Sequence, residues 1–258
     1  MYHGGIGGGG FMLVRSPNGT YEDIDFRETA PALATEDMYN KNVSLSTRGG
    51  LAVAVPGEVR GLEYLHKQYG KLPWKKCVMP SVQVARDGFA VGEDLARYMT
   101  YASPGKDGGF LATDPNWALD FAPNGTLVGV GDIMTRRRYA DTLEIIANGG
   151  AKAFYEGPLA ETMVLATNRT GGIMTMDDLK DYHVALRKPV RIHYRGYKLT
   201  SCSAPASGAV ALAIMKIIEG YDDFGYASAV NLSTHRLNEA MRFGYGMVMT
   251  LVLYPVTV

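Results

Sequence analysis

One stretch near the start of the chain constrains the fold more than any other: Gly4-Gly5-Ile6-Gly7-Gly8-Gly9-Gly10. Glycine tolerates positive φ and lets another backbone or a ligand come close. The run is not a phosphate loop, because no Gly-Lys-Ser/Thr follows it and a strand, not a helix, comes next. It reads as a tight, close-packed loop feeding a strand. Phe11 to Arg15 and Tyr21 to Phe26 are β-prone runs on either side of Ser16-Pro17-Asn18-Gly19. They are expected to pair as an antiparallel hairpin.

Arg27 follows the second strand, where its side chain can leave the sheet and point into a cleft. A guanidinium in that position can fork onto a carboxylate through two parallel hydrogen bonds. It can equally close a structural ion pair with Asp25 or Glu28. The residues alone leave both readings open.

The 258 residues leave room for one large domain or two small ones, and 47% apolar residues suffice for a sizeable core. Lys plus Arg and Asp plus Glu balance at 26 each, which argues against a nucleic-acid binder or a strongly basic membrane-surface protein. Arg136-Arg137-Arg138 is the densest charge cluster and reads as a solvated helix start. Cys77 and Cys202 are too few for a disulfide scaffold; they form either one bridge or two buried thiols. His3, His66, His183, His193 and His235 are scattered without a His-x-x-x-His pair, so no metal site is expected. Ser207 lacks a Gly-x-Ser-x-Gly elbow and reads as a helix-entry turn. Asp177-Asp178 and Asp222-Asp223 read as caps and exposed turns.

No signal peptide or transmembrane helix is evident in the sequence. Five of the nine asparagines nevertheless begin Asn-x-Ser/Thr sequons: Asn18, Asn42, Asn124, Asn168 and Asn231. Sequons have meaning in the secretory pathway. That conflict suggests that an N-terminal segment has been lost.

Further along, a short helix is expected around Thr35 to Tyr39. Gly49 to Glu58 reads as a buried strand stopped by Pro56-Gly57. Helices are expected over Val59–Tyr69, from Leu72-Pro73-Trp74, with Pro73 in the first turn, to Asp87 with a break or kink at Pro80, and over Val91–Met99. Ser103 to Gly131 is rich in Gly, Pro, Asp and Asn and reads as a long surface excursion. Helices follow over Arg136–Ala147, Pro158–Thr167, a Thr175-capped turn before Leu179, Ala209–Glu219 and Leu232–Phe243. Pro189–Tyr194 and Tyr197–Cys202 form a second expected hairpin. This mixture of helices and antiparallel strands points to a layered α/β or α+β domain.

Gly5 to Leu13, followed by Asp25-Phe26-Arg27-Glu28-Thr29-Ala30-Pro31, resembles the γ-glutamyltransferase (glutathione hydrolase) family. Supporting stretches are Leu51 to Gly61, Ala147 to Ala160, Gly171 to Thr175 and Pro205-Ala206-Ser207-Gly208. The resemblance covers roughly Gly5 to Gly246. It implies an α+β fold of the N-terminal-nucleophile hydrolase type, an αββα sandwich that is incomplete here because only the large-subunit part is present. Residues 1–246 would be the large-subunit region and 247–258 a divergent, apolar tail. The resemblance also implies that Arg27 binds the α-carboxylate of the γ-glutamyl group.

By the same resemblance, the partners are glutathione or other γ-glutamyl compounds and a small subunit carrying the nucleophile, with no nucleic acid and no cofactor. Family precursors cut themselves before a threonine, whose freed amine serves as base for its own hydroxyl. The hydroxyl attacks the γ-glutamyl amide, and water or an amino acid takes the acyl group. Backbone N–H donors would hold the oxyanion. That threonine is not found in this chain, so no catalytic residue is assigned. Ser233-Thr234-His235 is a look-alike that reads instead as a capped helix start. The implied activity is glutathione catabolism on the lumenal or extracellular side of a membrane. The alternative is an inactive truncated paralogue, a scaffold or binding fragment.

Overall fold

The computed structural model describes residues 4–103 and 108–253. They fall into two compact units: residues up to Gly9 together with Arg27–His183, and Gly10–Phe26 together with the chain from Val184 onward.

The second unit begins with the expected hairpin. Strands β1 (Phe11–Arg15) and β2 (Tyr21–Asp25) are antiparallel, with Phe11 opposite Asp25 and Arg15 opposite Tyr21. Ser16 and Gly19 close the turn, Gly19 N donating to Ser16 O at 2.9 Å with a left-handed φ of 83° at the glycine. Gly10 and Phe26 exchange backbone bonds beyond the paired strands. A Cβ on Gly10 would lie 3.1 Å from the Phe26 ring, so this glycine is needed for close approach.

In the first unit, α1 (Glu58–Tyr69) and α2 (Trp74–Asp87) form where expected, ended by Gly70 and Gly88. The break expected at Pro80 does not occur, and α2 runs through it. Proline removes one backbone bond. Against that loss, α2 buries Val82 and Ala85 against Ala140 and Leu143 of a later helix.

Ser103 to Gly131 is not the expected loose excursion. After β3 (Phe89–Ala90) and α3 (Glu93–Ala102), short helices α4 (Gly109–Thr113) and α5 (Pro115–Phe121) form, and β4 (Ile133–Met134) pairs with β3. Leu111 and Phe121 join Val91, Met99 and Met134 in a core of their own. Asp114 caps α5, accepting from Asn116 N at 2.8 Å.

Two other expectations fail. Thr35 to Tyr39 is a run of turns, stopped by left-handed φ values at Asn40 (44°) and Lys41 (60°). Gly49 to Glu58 is not a strand. It holds one 3-10 turn, Gly50–Ala52, and a single bridge between Thr29 and Val55. Gly50 lies so close to the Thr167 carbonyl and the Gly172 backbone that any Cβ would overlap both. The glycines serve backbone packing there, not a ladder.

Helices α6 (Arg137–Gly149), α7 (Lys152–Tyr155), α8 (Pro158–Arg169) and α9 (Met176–Lys180) complete this unit. Arg137 and Arg138 are exposed, as expected of a solvated helix start, but Arg136, just before α6, is half-buried. It pairs with Asp120 at 3.2 Å and lies over the Tyr139 ring. Thr175 caps α9 in a reciprocal capping box with Asp178, as its sequence suggests. Val55, Val59, Ile146, Tyr155, Met174 and Leu179 form the main core of the unit.

The second unit resumes with β5 (Ala185–Arg187), a third strand paired to β2 that sequence periodicity missed. The hairpin of β6 (Val190–Tyr194) and β7 (Tyr197–Ser201) follows, turned at Arg195 (φ 45°) and Gly196 (φ 84°). Helix α10 (Gly208–Glu219) packs against α11 (Val230–Leu253), which runs well beyond the expected Leu232–Phe243. Residues 254–258 of the expected tail lie outside the described residues. Both cysteines are free thiols. Cys77 is exposed, so neither a bridge nor a buried pair is formed. Among the described residues, no helix is long and apolar enough to cross a membrane.

Candidate functional site

Arg27 begins the first unit after the hairpin. The backbone on either side of it is fixed. Its carbonyl accepts a hydrogen bond from the Tyr182 hydroxyl at 2.8 Å. Tyr182 stacks on Tyr155, with centroids 5.9 Å apart and 7° between planes. The Tyr155 hydroxyl donates to Pro56 O at 2.8 Å, and the Arg60 guanidinium covers the Tyr155 ring at 4.6 Å. Burial pushes the Tyr155 phenol well above its ordinary pKa, so it remains a donor. Two residues past Arg27, Thr29 and Val55 exchange backbone bonds of 3.2 and 2.8 Å.

The side chain itself faces water, with 61% of it exposed. Its Nε lies 3.1 Å from Oε2 of Glu28. Of the two partners considered from sequence, Glu28 makes this ion pair, while Asp25 pairs with Arg187 at 2.7 Å.

The glycine run forms the rest of the site. Gly8 O accepts from Gly57 N and Glu58 N, both at 2.9 Å, so the loop caps the start of α1. A Cβ on Gly8 would sit 3.4 Å from Oε1 of Glu28. Around Gly4, Gly5 and Gly7 a Cβ would meet nothing within 4 Å. The expectation of a close-packed loop therefore fails at these three positions and holds at Gly8, Gly10 and Ile6, which packs against the core. Glu58, in the first turn of α1, has its pKa raised, first by burial and then by the Glu28 carboxylate. One guanidinium and two carboxylates thus gather beside an open loop in the first unit. Sequence reasoning missed Glu58, although its place just after Pro56-Gly57 and at a helix start was a usable signal. Tyr182 gave no signal, because its partner is 155 residues away.

The other sequence candidates stay apart from this cluster. Ser207 sits immediately before α10, as a helix-entry residue. Asp178 is committed to the α9 cap, and Asp223 pairs with Arg236. Ser233 lies in the first turn of α11, its hydroxyl accepting from Gly225 N. His3 lies outside the described residues, and among those described no group of three His, Cys, Asp or Glu could hold a metal.

The likeness to solved structures makes these mixed helices and small antiparallel sheets a portion of an N-terminal-nucleophile hydrolase fold. The γ-glutamyltranspeptidase of Helicobacter pylori superimposes with a TM-score of 0.86 at 36% identity, covering 95% of this chain and 70% of that one. The chain belongs to the gamma-glutamyltranspeptidase family, whose model matches residues 1–253. It is 61% identical over 246 residues to a glutathione hydrolase proenzyme of Arthroderma benhamiae, covering 95% of this chain and 42% of the relative. A glutathione hydrolase of Aspergillus flavus is 51% identical, with coverage of 96% and 41%. The chain thus spans less than half the length of these relatives.

Proposed function

We propose that this chain is the large-subunit part of a glutathione hydrolase and binds the γ-glutamyl group of glutathione and related compounds. Arg27 takes the substrate α-carboxylate. The observation that carries this reading is the exposed Arg27 guanidinium, held on an anchored backbone beside the open end of the glycine loop. A fixed, permanently charged planar donor matches a free amino-acid carboxylate. The companion is a small subunit led by a threonine. Its hydroxyl attacks the γ-glutamyl carbonyl, the amine leaves, and water releases glutamate from the ester. The working compartment is lumenal or extracellular, in keeping with the five sequons.

A chromogenic γ-glutamyl anilide tests the assignment. The 258 residues alone are expected to give no turnover. Co-expression with a threonine-led small-subunit segment is expected to restore it. Turnover by the chain alone, or an Arg27→Gln variant of the pair with unchanged KM, would overturn the reading.

A further inference from the structure

Two of the five sequons, those of Asn18 and Asn42, share a local bond that the other three lack; Asn124, although exposed, makes no bond with Thr126 among the described residues. Asn18 and Asn42 are exposed, and each forms the same local turn. Asn18 Oδ1 accepts from Thr20 N at 3.0 Å and from Thr20 Oγ1 at 2.8 Å. Asn42 Oδ1 accepts from Ser44 N at 3.2 Å and from Ser44 Oγ at 2.7 Å. In both, the sequon hydroxyl donates to the amide oxygen, which polarises the amide and eases loss of an Nδ2 proton. Neither Nδ2 has a hydrogen-bond partner among the described residues.

Asn168 and Asn231 are exposed as well, but in neither does the sequon hydroxyl meet the asparagine. Asn168 lies in α8; with its amide turned so that both ends find partners, Nδ2 donates to Gly172 O at 3.1 Å and Met174 O at 3.2 Å and closes the end of that helix. Its partner Thr170 Oγ1 donates to Thr167 O at 2.9 Å, not to the asparagine. Asn231 lies in α11, and its partner Ser233 is 7% exposed with its hydroxyl accepting from Gly225 N. A sugar on Asn168 would replace an N–H that holds backbone, and it would have to fit where two carbonyls now sit.

We propose that Asn18 and Asn42 are the N-linked glycan sites of this chain and that Asn168 and Asn231 remain unmodified in the folded protein. The donor is an oligosaccharide carried on a lipid diphosphate, transferred by a lumenal enzyme. Asn Nδ2 bonds to the anomeric carbon and loses one proton. The anomeric carbon–oxygen bond breaks, its electron pair leaves with the lipid diphosphate, and nothing is oxidised or reduced. The proposal rests on the lumenal compartment proposed above.

Compartment and site choice are separable by directing the chain into a eukaryotic secretory pathway with an added signal peptide. Secreted protein is treated with peptide N-glycosidase in heavy-oxygen water, and the asparagine-to-aspartate conversion is mapped at each sequon. Label is expected at Asn18 and Asn42 in most molecules and at neither Asn168 nor Asn231. Unlabelled Asn18 and Asn42, or Asn168 labelled as fully as Asn18, overturns the proposal. If no folded protein is secreted, translation into microsomes decides it, because both turns are local and need no distant residue. Asn18→Gln and Asn42→Gln are each expected to remove one glycan from the translated chain, and no change in either case overturns the assignment. A native precursor that never enters the lumen would sink the compartment alone.

Discussion

The Nε atom of Arg27 lies 3.1 Å from Oε2 of its neighbour Glu28, with 61% of the arginine side chain and 28% of the glutamate side chain exposed. An exposed pair of this kind adds about 0–1 kcal/mol to stability. Its value is in orientation: Glu28 fixes one edge of the guanidinium on a backbone already anchored at Tyr182 and Thr29.

Arg27 variants are therefore expected to lose binding and keep the fold. Replacing Arg27 with Gln removes charge-assisted hydrogen bonds of about 1.5–3 kcal/mol, so KM for a γ-glutamyl substrate should rise roughly 10- to 150-fold in the assembled enzyme. Arg27→Lys should recover little, because an ammonium cannot fork onto a carboxylate. Steady-state kinetics and a thermal melt of the same preparations check both statements. A drop in melting temperature matching the loss of binding would instead make Arg27 a structural residue.

Glycine substitutions should separate the packed positions from the open ones. Gly50→Ala forces a Cβ into the Thr167 carbonyl and the Gly172 backbone, and overpacking of this kind costs about 1–3 kcal/mol or more. Gly7→Ala meets open space and should leave the denaturation midpoint unchanged while raising KM, if substrate passes over the loop. Equal effects of the two variants in denaturant titrations would contradict this packing.

Two carboxylates should give opposite pH signatures. At Asp178, burial raises the pKa, but hydrogen bonds from Ala32 N, Thr175 Oγ1 and Thr175 N together bring it below its ordinary value. Its stabilisation is present above the ordinary carboxylate pKa and is lost as pH falls through the lowered one. Asp178→Asn should thus destabilise at pH 7, and the difference should shrink in acid. Glu58 is the reverse. Its raised pKa makes the charged form costly, a cost that disappears as pH falls. Glu58→Gln should compare with the parent more favourably at neutral pH than in acid. Melting curves across that range, with both variants showing the same trend, would refute these signs.

The two thiols should react at very different rates. Cys202 has its pKa pushed up to about 11, first by burial and then by the hydrogen bond and charge of Asp23. At pH 8 its thiolate fraction is then about a thousandth. Cys77 is exposed and should be alkylated first. Peptide mapping after a short iodoacetamide pulse measures the ratio.

The sequence by itself determined the features set by neighbours along the chain. The β1–β2 hairpin follows from a Pro-Asn-Gly turn between β-prone runs. The ends of α1 and α6 follow from Gly70 and Gly150, and the start of α9 from Thr175 with Asp178. These rest on backbone geometry and bonds spanning a few residues, so the residues that cause them lie in the same window. The motif also singled out Arg27, whose role toward substrate is the proposal made above. Only the tertiary structure decided which carboxylate meets Arg27, which glycines are crowded and in which sequons the hydroxyl meets the amide oxygen. Gly49 to Glu58 looked like a strand because Leu51 to Val55 is a continuous apolar run stopped by Pro56-Gly57. The opposing backbone of Thr167 and Gly172 turned it into a packed loop. Ser103 to Gly131 looked like solvent-exposed coil, yet Leu111 and Phe121 found Val91 and Met134 and built a core. Such partners lie tens to more than a hundred residues apart, and a contact over that distance is written in no local pattern.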